Sequence, residues 1–224
     1  MNVTFLGTGA ADWSYDLHKN VEGYRRNSSL LIDGCLLIDP GPNVLDALNA
    51  FNVDAHSVKH ILNTHRHSDH YSLDTVSFLS WASFYPLKRG ETISIGKYTV
   101  SALGANHSTC TEAVHFIISD GEKNLFYGLD GAWLMYEEVE AIKKGNIDMA
   151  ILDATVGNAV GDYRIFDHNN LRMVIEMKAT LESYVKRWVI SHMARTLHTS
   201  HAELAAQMKA HGIEVAFDGL QTEI

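Results

Sequence analysis

At 224 residues the chain fits one large domain, 1–224, able to bury about 70% of its unfolded surface. Its formal net charge of -9 argues against the clustered Lys and Arg of a nucleic-acid-binding face. The two cysteines, Cys35 and Cys110, lie far apart in no CxxC pairing, which excludes a disulfide framework and a zinc knuckle.

The opening Met1–Gly7 lacks a basic region, and no apolar run approaches a membrane span, so a cytoplasmic protein with no membrane partner is expected. Asn2 to Leu6 reads as a strand. Gly7-Thr8-Gly9-Ala10 is a glycine turn where a backbone can approach a neighbour closely. Residues 11–27 form a polar loop with scattered aromatics, ending in Tyr24-Arg25-Arg26-Asn27. Ser28–Ile32 and Cys35–Ile38 are apolar runs about Asp33-Gly34, a strong hairpin signal. Asp39-Pro40-Gly41-Pro42 breaks the sheet, and Asn43–Phe51 has helical spacing with Asn43 as its cap. Val58–Asn63 predicts a strand and Leu73–Tyr85 an apolar helical segment. Between them lies Asn63-Thr64-His65-Arg66-His67-Ser68-Asp69-His70.

That stretch carries a metal signature. Alternate residues of an extended chain share a side, so His65 and His67 can reach one cation. A turn after His67 would aim Asp69 and His70 at a second. Imidazole and carboxylate suit Zn, Mn or Fe without a thiol.

Further along, Glu91–Ile95 and Tyr98–Leu103 read as strands around Gly96-Lys97, the second leading to Asn106-His107. Val114–Ser119 and Asn124–Gly128 pair across Asp120-Gly121-Glu122-Lys123 and lead to Asp130. Trp133–Lys144 is helical in pattern with Gly145-Asn146 as its C-cap. Asp148–Leu152 is a strand, Asn169–Thr180 a helix, and Arg187–Ser191 a strand ending at His192. Ser200-His201-Ala202-Glu203 forms a capping box that opens a helix to about His211, and Ile213–Phe217 and Leu220–Ile224 are final strands about Asp218-Gly219. Helices and strands alternating in two similar halves predict an α/β fold, a four-layer αββα sandwich. Each candidate ligand follows a strand, which lets a rigid sheet hold loop-borne side chains at one edge.

The His65-x-His67-x-Asp69-His70 pattern resembles the metallo-β-lactamase superfamily of binuclear hydrolases. The resemblance implies a further histidine, a bridging aspartate and a last histidine, and His107, Asp130 and His192 stand in that order. It implies two divalent metal ions, Zn or Mn with Fe as a further choice. One would be held by His65, His67 and His107, the other by Asp69, His70 and His192, with Asp130 as bridge. Asp130 suits a bridge because a carboxylate has two oxygens. Metals about 4 Å apart activate a water between them to hydroxide. The position of Asp39 implies a partner beneath the metals, while a turn former ahead of proline is the other reading. His198 is the rival of His192, which is preferred because it follows Trp188-Val189-Ile190 directly. His56, His60, His115 and His211 are assigned to structure or surface.

Several stretches are similar to the phosphodiesterase of the carbon-phosphorus lyase pathway, a family acting on cyclic ribose phosphodiesters and related to tRNA 3′-processing nucleases. They are Gly7-Thr8-Gly9, Tyr24–Ser29, Asp167-His168-Asn169, Ile190-Ser191-His192 and Gly212–Gly219. This resemblance implies that His168 contacts the phosphate or protonates the leaving oxygen; a helix-start histidine without chemistry is the alternative. The catalytic candidates are His168, Asp69 and Asp130. Arg25 and Arg26, with His168, are the substrate-binding candidates, since a planar fork holds phosphate, although surface arginines flanking a strand are commoner. The chain departs from that family in having no cysteine within residues 10–27, and a short loop after His70 with no RNA-gripping arm.

The expected function is a binuclear metal-dependent phosphodiesterase acting on a small or cyclic phosphodiester. A hydrolase of a lactone, thioester or β-lactam, or an RNA-processing nuclease, is the alternative, because one fold serves many reactions. The expected partner is a small-molecule phosphodiester; nucleic acid is disfavoured, and monomer or homodimer stays open. Trp13, Tyr15 and Trp133 are expected to be exposed near the mouth of the site, where lining a substrate pocket and ordinary packing are both open readings.

Overall fold

The computed structural model describes residues 1–224. In the first sheet, β1 (Asn2–Gly7), β2 (Ser29–Ile32) and β3 (Leu36–Ile38) pair antiparallel, and β4 (His60–Leu62) and β5 (Ser83–Tyr85) continue in parallel. In the second, β6 (Thr92–Ile95), β7 (Tyr98–Gly104), β8 (Val114–Ser119) and β9 (Asn124–Gly128) alternate in direction. From β9 the strands β10 (Ile147–Asp153), β11 (Val185–Ser191) and β12 (Ile213–Val215) run parallel. The last strand, β13 (Gln221–Glu223), crosses back to β1. The helices are α1 (Tyr15–His18), α2 (Val44–Ala50), α3 (Leu73–Phe78), α4 (Tyr136–Gly145), α5 (Leu171–Leu181) and α6 (His201–Lys209).

Continuous apolar strands arise because both faces of each sheet are covered. Leu30, Ile32, Leu36 and Ile38 face the core between the sheets with Val100, Phe116, Met149, Ile151 and Val189. Their strand neighbours point outward: Leu31 and Leu37 pack with Val44, Ala47 and Leu48 of α2. On the other side Ala150, Leu152, Trp188 and Ile190 pack against Leu171, Val174 and Met177 of α5 and Leu204 and Met208 of α6. The result is the expected helix–sheet–sheet–helix order.

The topology also places the site. Because β7 and β9 both run antiparallel to β8, they are parallel to each other and to β10 and β11. The loops after β7, β9, β10 and β11 therefore leave from one edge, as do those after the parallel pair β3 and β4.

Three expected elements differ. The helix predicted over Leu73–Tyr85 ends at Phe78, and Ser83–Tyr85 instead adds β5 beside β4. The helix predicted from Trp133 starts at Tyr136, since Trp133 holds a left-handed φ of 56° that no α-helix accepts. The final two strands do not pair with each other: β12 belongs to one sheet and β13 to the other. The two-residue Asp33-Gly34 turn is as predicted, with φ of 47° and 68° as a type I′ hairpin requires.

Candidate metal centre

Strand ends supply the site residues. Asp39 follows β3, the His65–His70 loop follows β4, His107 follows β7, Asp130 follows β9, Asp153 ends β10 and His192 follows β11. Three of these leave their strands in the left-handed region, with φ of 59° at Asp39, 57° at Asp130 and 61° at His192. Such backbone costs energy outside glycine and persists where surrounding contacts enforce it.

Three overlapping groups of side chains converge. His65, His67, His107 and Asp130 each bring a ligand atom within 4.8 Å of the others, and so do Asp69, His70, Asp130 and His192, and Asp130, Asp153, His168 and His192. Asp130 belongs to all three: its Oδ2 lies 3.2 Å from His65 Nε2 and 3.2 Å from His70 Nε2. All seven expected ligands are therefore together. His198 is not among them, its Nε2 donating to the Ala154 carbonyl at 2.7 Å.

The histidines are oriented from behind. His70 Nδ1 donates to Asp39 Oδ2 at 2.9 Å. Thr64 Oγ1 donates to Asp39 Oδ1 at 2.9 Å and so accepts from His65 Nδ1 at 3.0 Å. Thr155 Oγ1 repeats the arrangement on the other side, donating to Asp153 Oδ2 at 2.9 Å and accepting from His192 Nδ1 at 2.7 Å. His107 Nδ1 donates to the Asp167 carbonyl at 3.3 Å. A histidine whose Nδ1 carries the proton presents a lone pair at Nε2, the arrangement metal-binding histidines use.

Those lone pairs then face one another. His70 Nε2 and His192 Nε2 are 3.2 Å apart, and His107 Nε2 is 3.1 Å from His67 Nδ1. His65 Nε2 and Asp130 Oδ1 are buried without a hydrogen-bond partner; Oδ1 sits 2.8 Å from His192 Nε2 outside hydrogen-bond geometry. Asp39, Asp69, Asp130 and Asp153 are all buried here. Converging acceptors and buried carboxylates are costly together unless cations lie among them. The donor set fits two divalent metals of the kind imidazole and carboxylate hold.

The electrostatics differ between the first two groups. Burial pushes His107 down to about 4 and His65 down as well, so both offer proton-free nitrogens. Burial also opposes charge on His70 and His192, but in the metal-free protein Asp130 and its neighbouring carboxylates draw a proton to each Nε2 and hold both well above the usual range, the place a metal would take. Asp130 is held far below the carboxylate range, the His192 and His70 charges outweighing burial.

His168 joins the centre from the side. Its Nδ1 donates to Asp153 Oδ2 at 3.0 Å and lies 3.7 Å from Asp130 Oδ1. Burial lowers its proton affinity, yet Asp153 and Asp130 overcome this and raise it. Asp153 and Thr155 escaped the sequence reading. The readable signal was position, because Leu152-Asp153 ends a strand just as Ile38-Asp39 does and as Asp130 follows one.

The arginines are engaged elsewhere. Arg25 is buried and donates to Thr8 Oγ1 at 2.6 Å and the Ala216 carbonyl at 2.9 Å. Arg26 donates to Asp46 Oδ2 at 2.7 Å. Trp13, expected to be exposed, is buried with its indole N–H on the Met193 carbonyl at 2.9 Å; Tyr15 donates to Asp46 at 3.0 Å. Of the three aromatics Trp133, three residues after Asp130, is strongly exposed.

Two facing sheets with seven His and Asp side chains gathered at one edge find counterparts among solved structures. The structure aligns with a Zn²⁺-bound PqqB from Methylobacterium extorquens over 100% of both chains, at TM-score 0.75 and 17% identity. The chain has the metallo-β-lactamase fold. A diphosphatase of the PhnP family shares this fold, with TM-score 0.78 and 18% identity over 100% of this chain and 96% of that one. Human tRNase Z, short form, aligns at TM-score 0.71 and 16% identity, covering 100% and 99%. The family model described as metallo-beta-lactamase superfamily matches residues 23–73, the part of the fold that holds the His65–His70 loop. No curated protein sequence matches the chain.

Proposed function

We propose that the protein is a binuclear metal-dependent hydrolase of small or cyclic phosphodiesters. The observation that carries this reading is Asp130, whose one carboxylate reaches His65 and His70 from two different ligand groups. His65, His67 and His107 would hold one ion and Asp69, His70 and His192 the other. When bound, two such ions supply Lewis-acid activation of water and of phosphoryl oxygens. The protein's own groups do the rest. Asp39 and Asp153 fix the histidine tautomers. His168, with Nδ1 committed to Asp153, keeps Nε2 to donate a proton to the leaving oxygen, and its raised proton affinity favours the charged acid. The solved structures of this fold include one named a diphosphatase and one named a tRNase Z, which agrees with phosphate chemistry. The acidic surface implied by a net charge of -9 favours a small substrate over RNA.

The test is metal content together with hydrolysis of bis(p-nitrophenyl) phosphate by the wild type, Asp130→Ala and His168→Ala. Two metals per wild-type chain and activity lost in both variants are expected. Two metals with no phosphodiester turnover, but cleavage of a lactone or thioester, would overturn the substrate class.

A further inference from the structure

A cavity of about 920 Å³ is lined by Asn106, Ala132, Trp133, Phe166, Asn170 and Arg172 among others, a size that suits a small-molecule group. Its walls are chain neighbours of the site residues. Asn106 precedes His107, Ala132 follows Asp130 by two residues, and Phe166 and Asn170 flank His168 at two residues on either side.

Two aromatic rings dominate it, and neither is placed there by core packing. Phe166 is 73% exposed and Trp133 47% exposed. Trp133 also holds a φ of 56°, a conformation that bulky residues adopt only when surroundings impose it. Those surroundings are visible. The Trp133 N–H donates to Asn169 Oδ1 at 2.7 Å, the Ala132 N–H donates to the Asn106 carbonyl at 3.0 Å, and the Asn106 amide donates back to the Ala132 carbonyl. The loop thus accepts backbone strain and an exposed indole together. Arg172 and Glu176, one turn apart on α5, add a donor and an acceptor to the rim.

We propose that this cavity binds a planar heteroaromatic group carried by the substrate, stacked on Trp133 and Phe166 while the phosphate lies at the centre. The inference rests on the phosphodiesterase reading and narrows it to esters that bear a ring such as a nucleobase. Stacking suits this role because every such ring has a π-face, and Arg172 and Glu176 complement a ring edge having both acceptors and donors.

The experiment compares two diesters with the same leaving group, thymidine 5′-(p-nitrophenyl phosphate) and ethyl p-nitrophenyl phosphate, on the metal-loaded full chain. Trp133→Gly removes the ring while accepting the left-handed backbone, and Phe166→Ala alters an exposed side chain. The wild type should prefer the nucleoside ester in kcat/KM, and each variant should reduce that preference about 5- to 30-fold, chiefly through KM. An unaltered preference in both variants overturns the proposal. Calorimetric binding of adenosine 5′-monophosphate separates the two layers. If neither diester is hydrolysed yet binding of the nucleotide depends on Trp133 and Phe166, the cavity assignment stands and the reaction assignment falls. Hydrolysis with nucleotide binding indifferent to both rings gives the reverse.

Discussion

His70 and His192 aim their Nε2 atoms at each other across 3.2 Å, while Asp39 and Thr155 hold the Nδ1 of each from behind at 2.9 and 2.7 Å. The carboxylate of Asp39 can only accept, so it dictates where the His70 proton sits. In Asp39→Asn an amide N–H would face the His70 N–H or displace the hydroxyl of Tyr127, which bonds the same oxygen at 3.2 Å. Metal affinity is expected to fall about 10- to 100-fold, measured by competition with a chromophoric chelator. Undiminished affinity would show that the tautomer is set elsewhere.

If divalent metal occupies the centre as proposed, protons should compete with it, because the imidazole ligands must be unprotonated to bind. Metal content of samples dialysed at stepwise lower pH should fall; a content that does not change with pH contradicts metal held by histidine.

If two ions bind as proposed, removing them should destabilise the fold, because the four buried carboxylates then lose their compensation. At metal concentrations about 100 times Kd, binding adds about 2.7 kcal/mol per site, which in a domain of this size corresponds to roughly 5–10 °C in Tm for each ion. Scanning calorimetry with and without a chelator reads the difference, and equal melting temperatures would exclude a structural contribution from the metals.

Behind Asp130 lies a buried pair, His115 and Glu138, with His115 Nε2 on the Leu129 carbonyl at 3.0 Å. Burial lowers the proton affinity of His115, but Glu138 and the Leu129 carbonyl raise it above the ordinary value. A raised folded-state value stabilises the fold fully below the unfolded value of about 6.5, and this is lost as pH rises through the folded value. Glu138→Ala should cost about 3–5 kcal/mol at about pH 6 and less at about pH 9. Urea unfolding at both pH values tests the sign, and a cost that grows with pH would reverse it.

For catalysis, His168→Asn should lower kcat on bis(p-nitrophenyl) phosphate about 10²- to 10⁴-fold with both metals retained. Loss of metal in the same variant would make His168 a ligand rather than an acid. Asp153→Asn should show a weaker form of the same defect, since Asp153 touches His168 and His192 but faces no open space.

Local pattern was enough to read the layered α/β architecture, the hairpins at Asp33-Gly34 and Asp120–Lys123, and the ligand-rich loop at His65–His70, because period, turn chemistry and ligand spacing are all written within a few residues. His107, Asp130 and His192 were readable as strand-end residues, though one at a time each was only a polar residue after an apolar run. What the sequence could not state was which strand ends share an edge. That depends on β7 and β9 both opposing β8 and on β10 and β11 running parallel to β9, relations between segments far apart in the chain. The same long-range pairing made Asp153 and Thr155 the support of His192 and His168, committed Arg25 to Thr8 and Ala216, and turned Ser83–Tyr85 from a helical continuation into an edge strand. Trp133 shows this most plainly: its exposure was expected from the sequence, whereas the left-handed turn that holds it depends on the hydrogen bonds of Asn106 and Asn169.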